Sequence, residues 1–233
     1  MTELIIEAPG KNALGLALMD TLIDGIKAAG DGPLLLTGAG DAFSAGLNLK
    51  EVLAADLDDM RVFLHKLTEL MALLHHHPGP TVAAVNGHAI AGGCLLALLC
   101  DVRFCTDNAR ARIGLNEVAL GLRFPPRVLR LAVSRLAPCH VSEVILGAGL
   151  HGPTESQRLG LVDHVVSNPL ADARGMLKTL SSYPADAYAA AKHALRAHTD
   201  PDDPEGDALF ESDVLPIWAG PEVKGRIKAL LKR

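Results

Sequence analysis

Two segments of this chain share one plan: a short apolar run, a glycine-rich turn, then a helix. The first is Leu34-Leu35-Leu36-Thr37 followed by Gly38-Ala39-Gly40-Asp41-Ala42-Phe43-Ser44-Ala45-Gly46-Leu47. The second is Thr81-Val82-Ala83-Ala84-Val85 followed by Asn86-Gly87-His88-Ala89-Ile90-Ala91-Gly92-Gly93. Uninterrupted apolar runs of this length, bounded by Gly and Pro, read as strands buried on both faces of a parallel sheet. Val102–Cys105 reads as a third. Helical spacing predicts helices over Asn12–Ala29, with Asn12 as N-cap and Gly30 as stop, over Asp58–His76 and over Gly92–Cys100. Alternating strands and helices mean an α/β fold.

After Pro126 the pattern changes. Apart from Leu161–Val166 it is helical: Val128–Leu136, Val141–Leu146, Thr154–Leu159, Leu170–Leu180, Ala185–Ala197, Glu205–Trp218 and Pro221–Leu231. Pro216 should kink or interrupt the sixth of these, and Pro201-Asp202-Asp203-Pro204 is the best linker. The expected organisation is an α/β core over residues 1–168 and a helical region over 169–233.

Composition narrows the function. Hydrophobic residues make up 49 % of 233, enough for a sizeable core. The net charge is −5, which argues against nucleic acid or an anionic membrane as partner. The longest charge-free and Pro-free apolar run, Ala89–Cys100, is shorter than the roughly 20 residues of a spanning helix. No signal peptide is evident at Met1-Thr2-Glu3-Leu4. Cys94, Cys100, Cys105 and Cys139 form no C-x-x-C pair and read as reduced, buried thiols, so a cytoplasmic location is expected.

Small residues in the two loops allow close approach of backbone to a ligand and leave N–H groups unpaired. Two such groups converging on one point would bind a developing oxyanion, helped by the positive end of a helix starting at Gly92. Phosphate motifs do not fit. A G-x-G-x-x-G run from Gly38 would need a glycine where Phe43 stands, and no G-x-x-x-x-G-K-[ST] occurs. Ala42-Phe43-Ser44-Ala45-Gly46 misses the nucleophile-elbow pattern at its first position.

Gly38–Lys50, Pro80–Cys94, Ile113–Leu122 and Arg158–Val166 resemble, in order, four motifs of the crotonase (enoyl-CoA hydratase/isomerase) superfamily. The resemblance covers roughly residues 10–168 and weakens in the C-terminal helices. It implies an α/β, crotonase-like (ClpP/crotonase) core of ββα units with a C-terminal helical trimerisation part. The family's N-terminal β-hairpin is mostly missing, so a shorter sheet is expected.

The resemblance further implies an acyl-CoA thioester substrate and an enolate intermediate. The oxyanion donors would be the backbone N–H of Leu47 and of Gly92. Ala45, Gly46, Lys50, Gly93 and Leu95 would bind substrate, with Lys50 near the adenine and phosphates. Asn48 stands where the family usually has Asp. No metal and no separate cofactor are expected, coenzyme A being part of the substrate, and a homotrimer or hexamer is implied.

Hydratases of the superfamily hold a water between two glutamates. One of those positions is Leu95 here and the other is Glu117, in Gly-Leu-Asn-Glu. A single base suffices to move a proton from C2 to C4 of a 3-enoyl thioester. Gly-Leu-Asn-Glu with Ala-Gly-Gly-Cys-Leu is similar to the monofunctional delta-3,delta-2-enoyl-CoA isomerases. Dienoyl-CoA isomerases add an acid eight positions after that glutamate, where this chain has Pro125. A hydratase with a second acid elsewhere, an acyl-CoA hydrolase and a non-catalytic binding member remain as alternatives. The acidic stretch Glu51–Asp59 counts against RNA.

Other residues read as structural. His75-His76-His77 is expected to be a solvated helix end rather than a metal site, His88 a satisfied loop histidine, and Lys224, Lys228 and Lys232 a solvated face.

Overall fold

A computed structural model describes residues 1–199 and 203–232. Its eight strands are β1 (Thr2–Ile6), β2 (Leu34–Gly38), β3 (Ala42–Ser44), β4 (Thr81–Val85), β5 (His88–Ile90), β6 (Val102–Thr106), β7 (Ile113–Gly114) and β8 (His164–Val166). They form two parallel sheets, β1-β2-β4-β6-β8 and β3-β5-β7. The chain passes from the first sheet to the second three times, through β2–β3, β4–β5 and β6–β7. The glycine turns make two of these passages, and helices Leu49–Ala54 and Gly92–Leu99 follow them.

The apolar runs of β2 and β4 serve both faces of the larger sheet. Leu34, Leu36, Ala83 and Val85 join the main core, which includes helices Leu16–Ala28, Leu57–His76 and Gly92–Leu99. Leu35, Val82 and Ala84 face the other way and pack with Phe104, Ala173 and Leu177, under helix Pro169–Leu180. That is the period of two that a strand dictates. The C-terminal segments return to the main core through Phe210, Val214, Leu215, Trp218, Val223 and Ile227.

Several expectations are corrected. β1 was not anticipated; it pairs along the whole length of β2, so the larger sheet gains an edge strand. The stretch from Gly38 to Gly46 is not all loop, because β3 lies within it. Asn12 does not cap a helix. Helix Leu16–Ala28 starts after Gly15, and the Asn12 amide donates instead to the carbonyls of Ala39 and Ala42, at 2.9 and 2.8 Å. Gly30 does follow that helix in the left-handed region, with φ +55°. His75 and His77 are buried rather than solvated, since their rings meet Thr199 Oγ1 and the Gly32 carbonyl. Cys139 is exposed, unlike the other three cysteines. Lys224 is not free in solvent; its ammonium donates to the Ala55 carbonyl.

Pro216 does not interrupt the helical run. Helix Pro204–Leu209 runs into a π-helical stretch, Phe210–Val214, and then helix Leu215–Ala219. Pro216 lacks the N–H that an α-helix would use one turn back, and a π turn accommodates the gap. Of the expected linker, Pro201 and Asp202 lie outside the described residues, while Pro204 begins a helix.

Candidate active site

The two glycine loops are locked together. Asn86 pairs its side-chain amide with the backbone of Gly38, accepting from N–H and donating to C=O, both at 3.0 Å. A Cβ on Gly87 would collide with the Asp41 carbonyl, so only glycine lets these backbones touch. Gly46 has φ +90°, and a Cβ there would lie 2.7 Å from the Ile90 carbonyl oxygen and 3.6 Å from the Gly92 nitrogen. The segment carrying Leu47 therefore runs directly beside the start of helix Gly92–Leu99.

Both expected oxyanion donors are free. Leu14 bridges the loop by donating to the Gly46 carbonyl and accepting from Asn48 N–H, at 2.8 and 2.9 Å. In an extended chain the intervening Leu47 N–H then points the opposite way. Gly92 is the first residue of its helix, where an N–H has no partner within the helix. Ala91 before it holds φ +49°, a costly conformation for a residue with a Cβ, and donates to the Gly114 carbonyl at 2.8 Å. Neither the Leu47 nor the Gly92 N–H meets a protein acceptor among the described residues.

Glu117 follows β7 and opens the single turn Val118–Leu120. Its own carbonyl accepts from Leu120 and Leu122 N–H at 3.0 and 2.9 Å, which fixes the loop. The residue is 6 % exposed, and its Oε2 has no hydrogen-bond partner among the described residues. Burial disfavours the carboxylate and pushes its pKa up to about 7. Ala45, Leu47, Gly92, Leu95 and Glu117 all line one cavity of about 280 Å³. Among the described residues, Glu117 is the only titratable side chain in that lining; Asn116 is the only other polar one. Pro125 lines the cavity too and supplies no acid.

The remaining expected residues fall elsewhere. Lys50 is exposed and borders a neighbouring depression of about 300 Å³ that shares Ala45, Leu47 and Leu49 with the first cavity. Gly46 and Gly93 line neither. Gly93 packs against Ser44, with no space for a side chain. Asn48 caps helix Leu49–Ala54, accepting from Lys50 N–H and donating to Glu51 Oε1 at 2.7 Å. Ser44 is buried and donates to the Asn12 carbonyl, so it is no exposed nucleophile. His88 accepts from Arg112 N–H. Among the described residues no three His, Cys, Asp or Glu side chains converge as a metal site, and no helix is long and apolar enough to cross a membrane.

Sequence reasoning missed Asn116 as a lining residue, its Oδ1 buried and without a partner among the described residues, and Trp218, Phe124 and Val128 as walls. Asn116 stands next to the glutamate in Gly-Leu-Asn-Glu, which was a usable signal. Trp218 reaches the cavity only through the tertiary return of the C-terminal helices, so no local pattern marks it.

The chain belongs to the enoyl-CoA hydratase/isomerase family, whose sequence profile matches residues 2–215. It is an enzyme family, and this chain has its crotonase fold. The chain is 31 % identical over 190 residues to a probable enoyl-CoA hydratase of Mycobacterium tuberculosis, a match covering 79 % of this chain and 72 % of that protein. It is 34 % identical over 164 residues to the human mitochondrial enoyl-CoA delta isomerase 1, covering 68 % and 54 %. The structure of a human mitochondrial delta3-delta2-enoyl-CoA isomerase superposes with a TM-score of 0.88 at 24 % identity, covering 100 % of this chain and 93 % of that one. An enoyl-CoA hydratase from Bacillus halodurans superposes at 0.81 with 25 % identity, covering 97 % and 95 %.

Proposed function

We propose that this chain is an enoyl-CoA isomerase that moves a double bond from the 3 to the 2 position of an acyl-CoA thioester. The observation that carries the reading is the pairing of one buried carboxylate, Glu117, with an apolar Leu95 in a cavity that holds no second acid among the described residues.

In this reading the thioester oxygen lies between the N–H groups of Leu47 and Gly92. Glu117 Oε2 takes a proton from C2. The C–H electron pair moves into a dienolate whose charge rests on the thioester oxygen. That charge is what the two N–H groups stabilise, each donor contributing about 10²–10³ in rate. The protonated Glu117 then delivers the proton to C4, and the electrons return as a C2–C3 double bond. Atoms balance without water, and the base ends as it began. A base whose pKa lies near neutrality suits both halves of this transfer.

Hydration of a 2-enoyl-CoA is the rival, because relatives of similar identity carry hydratase names. It requires a water held for attack at C3 by a second proton-carrying group. Leu95 supports the isomerase instead, since its methyl groups offer that water no hydrogen bond. The adenine and phosphates of coenzyme A would occupy the depression beside Lys50. A homotrimer or hexamer belongs to the same reading. The test is direct comparison of 3-enoyl-CoA isomerisation with 2-enoyl-CoA hydration by the unmodified enzyme, with products identified.

A further inference from the structure

The cavity wall is partly exposed and partly buried. Leu150 and Leu230 in its lining are each 39 % exposed, whereas Leu95, Val128 and Trp218 are no more than 2 % exposed. Trp218 is the largest side chain in the buried part of that wall, in the same lining as Glu117. We propose that Trp218 is the stop at that wall and sets the longest acyl chain the enzyme accepts, so that its substrates are acyl groups of short to medium length. This inference rests on the acyl-CoA reading of the site and adds the length limit to it.

Size argues first. A cavity of about 280 Å³ lies at the small end of the roughly 300–1,000 Å³ of drug-sized ligand sites. That space does not hold a long tail as well as the reacting carbons.

Rigidity argues second. A stop must not swing aside, and Trp218 is pinned. Its indole Nε1–H donates to the Arg123 carbonyl at 2.7 Å, across 95 residues of sequence. Arg123 stands between Leu122 and Phe124, both in the cavity lining, so the same bond holds the wall residues in place. The Arg123 guanidinium in turn pairs with Asp213, inside the π-helical stretch Phe210–Val214. A buried aromatic whose polar edge is satisfied is a fixed plug. Truncating it opens space on the cavity side at the cost of that bond.

The experiment measures binding of saturated acyl-CoAs, from butyryl- to hexadecanoyl-CoA, to wild type, Trp218→Ala, Trp218→Phe and Leu230→Ala. Saturated thioesters cannot isomerise, so the result is independent of which reaction the enzyme performs. Each methylene that enters the pocket should tighten binding about fourfold, and the gain should end at a definite length in wild type. Trp218→Ala should move that end point to longer chains by two or more methylenes, a gain of about 15-fold for the first tails beyond the wild-type limit. Trp218→Phe, which keeps a ring and removes the Arg123 bond, should move it less and serves if the alanine variant does not fold. Leu230→Ala, in the exposed part of the wall, should weaken all lengths alike and leave the end point where it was. A folded Trp218 variant with an unchanged end point overturns the proposal. Failure of wild type to bind any acyl-CoA overturns the acyl-CoA reading itself, a distinct result.

Discussion

Leu95 and Glu117 line the same cavity, one 2 % and the other 6 % exposed, and no further titratable side chain among the described residues joins them there. An apolar enclosure does two things to a lone carboxylate. It offers few hydrogen bonds to a water, and it makes the ionised form expensive, which strengthens the base.

That expense is also a stability effect with a definite sign. The folded pKa of Glu117 is about 7, against about 4.3 for an unperturbed glutamate. Near pH 4 both states are mostly protonated and the shift contributes little. Between about pH 4.3 and about pH 7 the unfolded chain gives up a proton that the folded protein keeps, so stability falls across that window by about 4 kcal/mol and levels off above it. Glu117→Gln should therefore be more stable than wild type above pH 7, by up to that amount, and nearly equal near pH 4. Urea titrations at both pH values check this. The same variant should lose at least ~10²-fold in kcat with little change in acyl-CoA affinity. In wild type, kcat/KM should rise with pH around a midpoint near 7.

Two adjacent glycines should fail in different ways. A Cβ at Gly92 would meet the side chains of Leu14 and Leu47 at 3.1 and 3.3 Å, whereas one at Gly93 would run into the Ser44 backbone. Gly92→Val should fold and lose most activity, because its branches crowd the donor. Gly93→Ala should lower the melting temperature. If Gly92→Val keeps normal kinetics, that glycine only packs.

Asp101 ties the C-terminal part to the core. It accepts from Lys192 and Arg196, at 2.8 and 2.5 Å, and from the Tyr188 hydroxyl and the Thr81 N–H. Lys192 and Arg196 also donate to the carbonyls of Gly79 and His75, so helix Ala185–Arg196 is held by charge-assisted bonds in a buried place. Asp101→Ala leaves two buried cations without their carboxylate and should cost about 3–5 kcal/mol. The pH midpoint of activity should not move. A variant as stable as wild type would show that the cluster is bystander chemistry.

Ile5, Val62, Leu146 and Leu195 are large apolar side chains left exposed in a single copy of the chain. We expect some of them to be covered in a homotrimer or hexamer. Light scattering at micromolar concentration should give that mass; a stable monomer would contradict it.

Much of this was legible in the sequence. The run Thr81–Val85, apolar after its threonine and bounded by Pro80 and Asn86-Gly87, read as a strand covered on both faces, and the helix from Gly92 was marked by its glycines. The smaller sheet was not legible. Its strands have two or three residues, too short for any period to show, and they lie inside stretches whose glycines signal turns. Asn12 misled because its amide found carbonyls 27 and 30 residues away rather than its own helix. The histidines 75–77 read as solvated from their polarity, but a carbonyl and a hydroxyl meet two of them inside. Glu117 and Leu95 could be named from motifs, whereas Trp218 could not, since only the folded C-terminal part brings it to the cavity.

The central claim is that a single buried carboxylate does this enzyme's proton chemistry. It is tested by giving the wild-type enzyme crotonyl-CoA and a 3-enoyl-CoA in parallel and identifying the products. Rapid conversion of the 3-enoyl thioester to its 2-enoyl isomer is expected, with hydration slower by orders of magnitude and Leu95→Glu adding measurable hydration. Efficient formation of 3-hydroxybutyryl-CoA by the wild type would contradict it.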